Sequence, residues 1–327
     1  VPSTGEIIAM ANRPDFDPNR PGDFPAGHRR NRAVTDIAEP GSTFKAVTVA
    51  AALNERQVSL GTFFDCERGS FSYGGRRLHD THPYHRLSVK EIITKSSNIG
   101  AAKIALGLGS PKLHKYICQF GFGERTRISL PGEVRGTVHP LKRWNNLSIT
   151  RVSMGHEVAA TPIQMAMMVS AIANKGKLMR PMLLRQLEDE QGRVVVRYHP
   201  ESVRQVVSTE TALKVTEALK TVVQSGGTAR RAALDYFSVA GKTGTAQKAS
   251  RGGYVPGKYY SSFVGFFPAD RPALCIYVAL DEPTGDYYAS LTAAPVFKAI
   301  GERAASYLGV KPDLLVPGSV VSRSGGH

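Results

Sequence analysis

Three short polar motifs, Ser42-Thr43-Phe44-Lys45, Ser96-Ser97-Asn98 and Lys242-Thr243-Gly244-Thr245, are strung along this 327-residue chain, and each pattern occurs once. Singly, such matches are weak: an S-x-x-K or S-x-N arises roughly once in a random chain of this size. Together they constrain the fold, because their chemistry works only if all three meet in one cleft. A serine hydroxyl is a poor nucleophile at neutral pH and needs an adjacent base. Lys45, three residues after Ser42, shares its helical face and can take its proton if the amine is neutral. Desolvation or a neighbouring cation would achieve that, with Lys242 as the obvious cation. Pro40-Gly41 supplies a turn into a helix start, so the Ser42 N–H lies among open donors that suit an oxyanion.

The sequence around the motifs resembles the class B penicillin-binding proteins. The stretches carrying the resemblance are 32–45, 95–100 and 240–246, supported by Thr4-Gly5-Glu6-Ile7, Thr161-Pro162-Ile163-Gln164-Met165-Ala166 and Ala293-Ala294-Pro295-Val296-Phe297, so it spans roughly residues 3 to 310. Within that family the lead-in Arg32 to Asp36 and the segment Ala293 to Phe297 resemble the division-specific transpeptidases more than the elongation-specific ones. The resemblance implies an α+β penicillin-binding and serine β-lactamase-like fold, an antiparallel sheet flanked by helices plus a mostly helical subdomain. It implies Ser42 as acylated nucleophile, Lys45 as its base, Ser96 as proton relay and Asn98 as holder of a substrate amide. Lys242 would support the relay. Thr243, Gly244 and Thr245 would bind the donor's terminal carboxylate, with the Thr245 N–H completing the oxyanion hole. In a strand, Thr243 and Thr245 point to one face, so two hydroxyls can converge on one carboxylate.

The implied substrates are peptidoglycan stem peptides, a D-Ala-D-Ala donor and an amine acceptor, with β-lactams as acylating inhibitors. Implied partners are the division machinery, notably a lipid-II polymerase, at the periplasmic face of the cytoplasmic membrane. No cofactor is implied. The chain departs from the family in having Ala46 where proline often follows the lysine. It also opens at Val1 directly in catalytic sequence, without the family's membrane anchor and pedestal module, and reads as an excised fragment. Hydrolysis is the competing chemistry. Class A β-lactamases carry a water-activating glutamate, commonly in E-x-x-x-N, and no glutamate here fits that pattern. A D,D-carboxypeptidase, or a sensor domain that keeps the fold, stays open on the motifs alone.

Length alone suggests two domains, yet the convergence of the motifs requires one catalytic unit of two packed subdomains over 1–310: a sheet subdomain (about 1–52 and 226–310) and a helical one (about 53–225). Residues 311–327 read as a frayed tail. Glu6 to Ala11 reads as a strand that must return to the late strands, and Arg13 to Arg32 as loop. Ser42 to Leu53 reads as helix. Helix starts are marked by capping boxes at Ser88-Val89-Lys90-Glu91 and Thr161-Pro162-Ile163-Gln164, the latter ending near Gly176, and by Ser110-Pro111 with a stop at Gly121. Strands are expected over Ser238 to Gln247, Ser261 to Phe267 and Leu274 to Leu280, then a helix from Pro295 to Leu308.

Several tempting features have simpler readings. Gly241-Lys242-Thr243 resembles a phosphate loop, but position 236 is Tyr where that motif needs glycine. His79, His82 and His85, with Asp80 and Cys66, fit no standard zinc spacing, and Gly74-Gly75 points to an exposed hairpin there, so no metal is expected. Tyr254, Tyr259, Tyr260 and Phe263 could wall the cleft or pack the core. Arg29, Arg30 and Arg32 suit a solvated loop or a phosphate. A formal charge of +15 favours anionic surroundings, although a solvated basic surface without a nucleic-acid partner suffices. No apolar run reaches a membrane span, and Cys66, Cys118 and Cys275 give no disulfide framework.

Overall fold

The computed structural model describes residues 1–250 and 253–314. Helix α1 (Lys45–Asn54) continues a 3-10 turn over Gly41–Phe44. Its Ala46, Val47, Val49, Ala50, Ala51 and Ala52 are all fully buried, so neighbours enclose this small-residue helix on every side. Hairpin strands β1 (Ser70–Tyr73) and β2 (Arg76–His79) pair across Gly74-Gly75, where both glycines have positive φ, as expected. Helix α2 (Val89–Lys95) opens on the Ser88/Glu91 capping box, and α3 (Asn98–Leu108) follows one short turn later. Helix α4 (Ser110–Gln119) starts at Ser110-Pro111, and the chain leaves it through Gly121 at φ +92°. Helix α5 (Pro162–Ala173) opens on the Thr161/Gln164 box and is followed by Gly176 at φ +84°, and α6 (Thr209–Lys220) completes the middle of the chain.

The late segments form one antiparallel sheet in the order β3 (Ala240–Ser250), β4 (Gly253–Phe267), β5 (Leu274–Asp281). Its register sets Lys242 opposite Val264 and Thr245 opposite Ser261. Helix α7 (Ala293–Tyr307) lays Phe297 edge-on against Phe263, with ring centroids 4.7 Å apart, and α5 also packs on β5. One continuous apolar core joins the sheet to α1–α6. The fold is α+β, and no described helix is long and apolar enough to cross a membrane.

Three expectations are refined. Helices make up most of the regular structure in residues 53–225, but not most of the residues. Five two-stranded ladders interrupt the helices, among them Phe63–Asp65 with Arg86–Ser88 and Lys177–Met179 with Ser202–Gln205. Strands this short carry too little alternation to stand out in a sequence. Glu6 to Ala11 forms no strand with the sheet. Glu6 makes a single bridge to Met182, where Ile7 N donates to the Met182 carbonyl at 2.9 Å. The outer edge of β5 faces this segment across a cavity of about 1740 Å³ lined by Ile7, Ile8, Met10, Cys275, Tyr277 and Ala279. A β-compatible segment forms a ladder only where a partner edge lies within the ~4.8 Å interstrand spacing, and here the cavity intervenes. The expected tail also begins anchored, because Ser238 N donates to Asp313 at 2.8 Å; residues 315–327 lie outside the described residues.

Candidate active site

The nucleophile turn is held from below. Gly41, at φ +55°, donates to the Gly155 carbonyl at 3.2 Å, and the Thr43 hydroxyl donates to the Pro40 carbonyl at 2.7 Å. Ser42 is left partly exposed, with Lys45 fully buried behind it. Lys45 Nζ lies 2.9 Å from Ser42 Oγ, 2.7 Å from Asn98 Oδ1, 3.2 Å from Ser96 Oγ and 2.5 Å from the Ser96 carbonyl oxygen. Lys242, also fully buried, donates to Ser96 Oγ at 2.9 Å and to the Thr243 carbonyl at 3.2 Å. The Ser96 hydroxyl therefore bridges the two amines, and the three motifs converge on one point.

Proton counting limits what these contacts mean. The Ser96 carbonyl and Asn98 Oδ1 can only accept, and Asn98 Nδ2 donates to the His79 carbonyl at 2.9 Å, which fixes the amide's orientation. A neutral Lys45 amine satisfies both with its two N–H bonds and leaves its lone pair for a hydroxyl proton. Burial pushes the Lys45 ammonium down to about 7, opposed by the charge of Asp80. Burial, then the proximity of Lys45, pushes Lys242 well below the usual lysine range. Desolvation leads at both amines, and the proximity of Lys45 and Lys242 adds to it. Two buried amines joined through one hydroxyl cannot both hold a proton comfortably.

Local backbone explains the wall opposite Ser42. Ser96 ends α2 in the left-handed conformation, φ +58° and ψ +37°, at a cost on the order of 1 kcal/mol for a non-glycine residue. That turn puts both its carbonyl and its hydroxyl on Lys45. Ser97 then caps α3, accepting from Gly100 N at 2.9 Å. Along β3, Gly244 has no room for a side chain: a Cβ would sit 2.7 Å from the Pro40 carbonyl oxygen and 2.9 Å from the Thr43 methyl. Glycine here lets the strand press directly on the nucleophile turn. Thr243 Oγ1 lies 3.4 Å from Thr228 Oγ1, while Thr245 Oγ1 accepts from Ala289 N at 3.1 Å. With an acceptor site taken, the Thr245 O–H remains available to donate.

The other candidates separate. Phe263 is core, at 0% exposure against Phe297. Tyr259 stacks on Tyr287 at 4.0 Å, and burial against Tyr277 drives the Tyr260 phenol far up. Tyr254 reaches Glu39 and His156, both at 3.1 Å, tying the β3–β4 hairpin to the nucleophile turn. Arg32 pairs with Asp36 at 3.0 Å, and Arg30 pairs with the other oxygen of the same carboxylate. His79, His82 and His85 are exposed, whereas Asp80 is engaged on the first turn of α3. Sequence reading missed Asp80 as a site-wall residue, and missed Thr228, Ala289 and the Glu39–His156 contact. Each is a long-range contact with no spacing signal.

Comparison with known proteins gives the family. Residues 1–302 match the family described as the penicillin binding protein transpeptidase domain. The chain is 39% identical over 319 residues to stage V sporulation protein D of Bacillus subtilis, covering 95% of this chain and 49% of that protein. It is 31% identical over 317 residues to the peptidoglycan D,D-transpeptidase FtsI of Escherichia coli, covering 97% and 52%. The apo transpeptidase domain of penicillin-binding protein 3 from Burkholderia pseudomallei superposes with a TM-score of 0.84 at 32% identity, covering 96% of this chain and 88% of that one. The chain thus spans about half the length of these two curated relatives. It belongs to the penicillin-binding protein transpeptidase family, as the transpeptidase domain of a class B member. Domains of this family are enzymes of the D,D-transpeptidase type.

Proposed function

We propose that this domain cross-links peptidoglycan stem peptides during septal wall synthesis. Ser42 Oγ attacks the penultimate D-Ala carbonyl of one stem, Lys45 takes the hydroxyl proton, and the tetrahedral oxyanion is held by the N–H groups of Ser42 and Thr245. The terminal D-Ala leaves with a proton relayed through Ser96, and an amine from a second stem takes the acyl group and frees Ser42. Asn98 holds the donor amide; Thr243 and Thr245 hold its carboxylate. β-Lactams enter by the same route and stay bound as acyl-serine. The observation that carries this reading is the single network joining Ser42, Lys45, Ser96, Asn98 and Lys242 at 2.7–3.2 Å.

The absence of an E-x-x-x-N glutamate weighs against a β-lactamase, and the choice between transfer and carboxypeptidase hydrolysis is left to the acceptor. Incubation with a D-Ala-D-Ala peptide and a D-amino acid should yield the exchanged peptide in excess of the hydrolysed one; hydrolysis alone would make it a carboxypeptidase. The septal role rests on the resemblance of residues 32–36 and 293–297 to the division type, against the elongation-specific alternative. In that role the domain works on the periplasmic face of the cytoplasmic membrane, beside a lipid-II polymerase of the division machinery. Depleting the gene product should give filaments with unfinished septa, and rounded cells would instead assign it to elongation.

The carboxylate role has its own test. Thr245→Val keeps size and β-branching but removes the hydroxyl, so acylation by a penicillin should lose roughly 1 to 3 kcal/mol of transition-state stabilisation. Part of that loss reflects the Ala289 N–H left without its acceptor and will fall on every substrate. The penicillin's carboxylate methyl ester isolates the rest: the acid should suffer far more than the ester, and equal losses would reject the assignment.

A further inference from the structure

The strap after β2 delivers one carboxylate to the wall of the cleft. Asp80 Oδ2 accepts the Ser97 hydroxyl at 2.6 Å, and Asp80 Oδ1 accepts Ile99 N at 3.1 Å together with Asn98 N. The preceding residue completes the grip, because the His79 carbonyl accepts Asn98 Nδ2 at 2.9 Å. Asn98 is thereby clamped at backbone and side chain by two consecutive residues of the strap, which leaves its Oδ1 pointing at Lys45 Nζ. Ser96 and Ser97 are adjacent, so fixing Ser97 also fixes the left-handed turn that aims the Ser96 carbonyl and hydroxyl at the same amine.

We propose that Asp80 is a positioning residue for the acyl-transfer reaction, holding Asn98 and Ser96 against Lys45 through the first turn of α3 and setting the charge balance of the buried amines with its own negative charge. This rests on the acyl-serine reading of the site. A capping residue could be replaced by any acceptor, but a carboxylate does two further things. It accepts three hydrogen bonds at once, which a single amide oxygen would do poorly, and it acts electrostatically on Lys45. The charged and titratable groups around this centre are few. Lys45 comes from α1, Lys242 from β3 and Asp80 from the strap. Cys66, 3.5 Å from Ser97 Oγ, and Tyr84 face Asp80; burial raises both, and the Asp80 charge adds to it. Without the Asp80 charge the Lys45 ammonium loses an influence that opposes its burial, so Lys45 should give up its proton at lower pH.

The test is the pH profile of acylation by a fluorescent penicillin in wild type and Asp80→Asn, with circular dichroism and thermal melting as the check on folding. Asparagine keeps the shape and one acceptor oxygen. The high-pH plateau should fall by roughly ten- to a hundredfold, the scale of loss expected from a misplaced reacting group, and the acid limb should move to lower pH. Asp80→Ala should lower the plateau further; if it does not fold, the Asn variant still decides. A limb that stays at its wild-type pH in folded Asp80→Asn overturns the proposal whatever happens to the plateau, because a carboxylate acting only as scaffold leaves the titration of Lys45 where it was. Failure of the underlying reading looks different: wild type itself would then form no Ser42 adduct.

Discussion

Lys45→Arg should lower the rate at which penicillin acylates Ser42 by roughly 10²- to 10⁴-fold, the span typical of a lost general base. Arginine keeps N–H donors near Ser42, Asn98 and Ser96 but stays protonated, so it cannot accept the Ser42 proton. Lys45→Ala should fall in the same range for the same reason. It removes a fully buried amine, so folding must be checked independently, and loss of the Asn98 and Ser96 contacts will contribute. Stopped-flow acylation of both variants against wild type gives the answer. Wild-type rates in a folded Lys45→Arg protein would remove Lys45 from the proton path and leave Ser42 to another base.

Acylation should also depend steeply on pH on the acid side. The base is the neutral amine, and burial brings the Lys45 ammonium down to about 7. Above that pH the amine is neutral and the rate reaches its plateau. Below it, each pH unit converts the site tenfold toward the inactive ammonium, so at pH 5 acylation should run roughly a hundredfold below the plateau. The limb belongs to the coupled Lys45–Lys242 pair, which share the Ser96 hydroxyl, so Lys242→Ala should displace it as well as lower the plateau. A flat profile between pH 5 and 8 would mean that the proton on Lys45 does not limit the reaction.

Sequence reading succeeded where a local signal has a local consequence. Capping boxes at Ser88 and Thr161 start helices where expected, and the alternation after Gly226-Gly227 becomes β3–β5 with ends displaced by a few residues or, at the start of β4, by eight. The convergence of the motifs was legible because the chemistry of Ser42 demands partners that its own helix cannot supply. What escaped is non-local. Asp80 sits 17 residues before Ser97 and looked like one of several potential ligands near three histidines, because capping a distant helix leaves no mark on spacing. Gly244 read as part of a carboxylate-binding motif, whereas its lack of a Cβ also lets β3 approach Pro40, a requirement visible only once the two segments are side by side. The Glu6 to Ala11 segment had the composition of a strand, but composition does not supply a neighbouring edge.

Intact-mass analysis after incubation with penicillin tests the central claim most directly, run on wild type and on Ser42→Ala. Ser42 is the one nucleophile placed at 2.9 Å from the buried Lys45 amine, so wild type should gain the mass of a single penicilloyl group that persists, and Ser42→Ala should gain none. An adduct that survives in Ser42→Ala, or a wild type that releases hydrolysed penicillin over many turnovers without accumulating an adduct, would contradict the account.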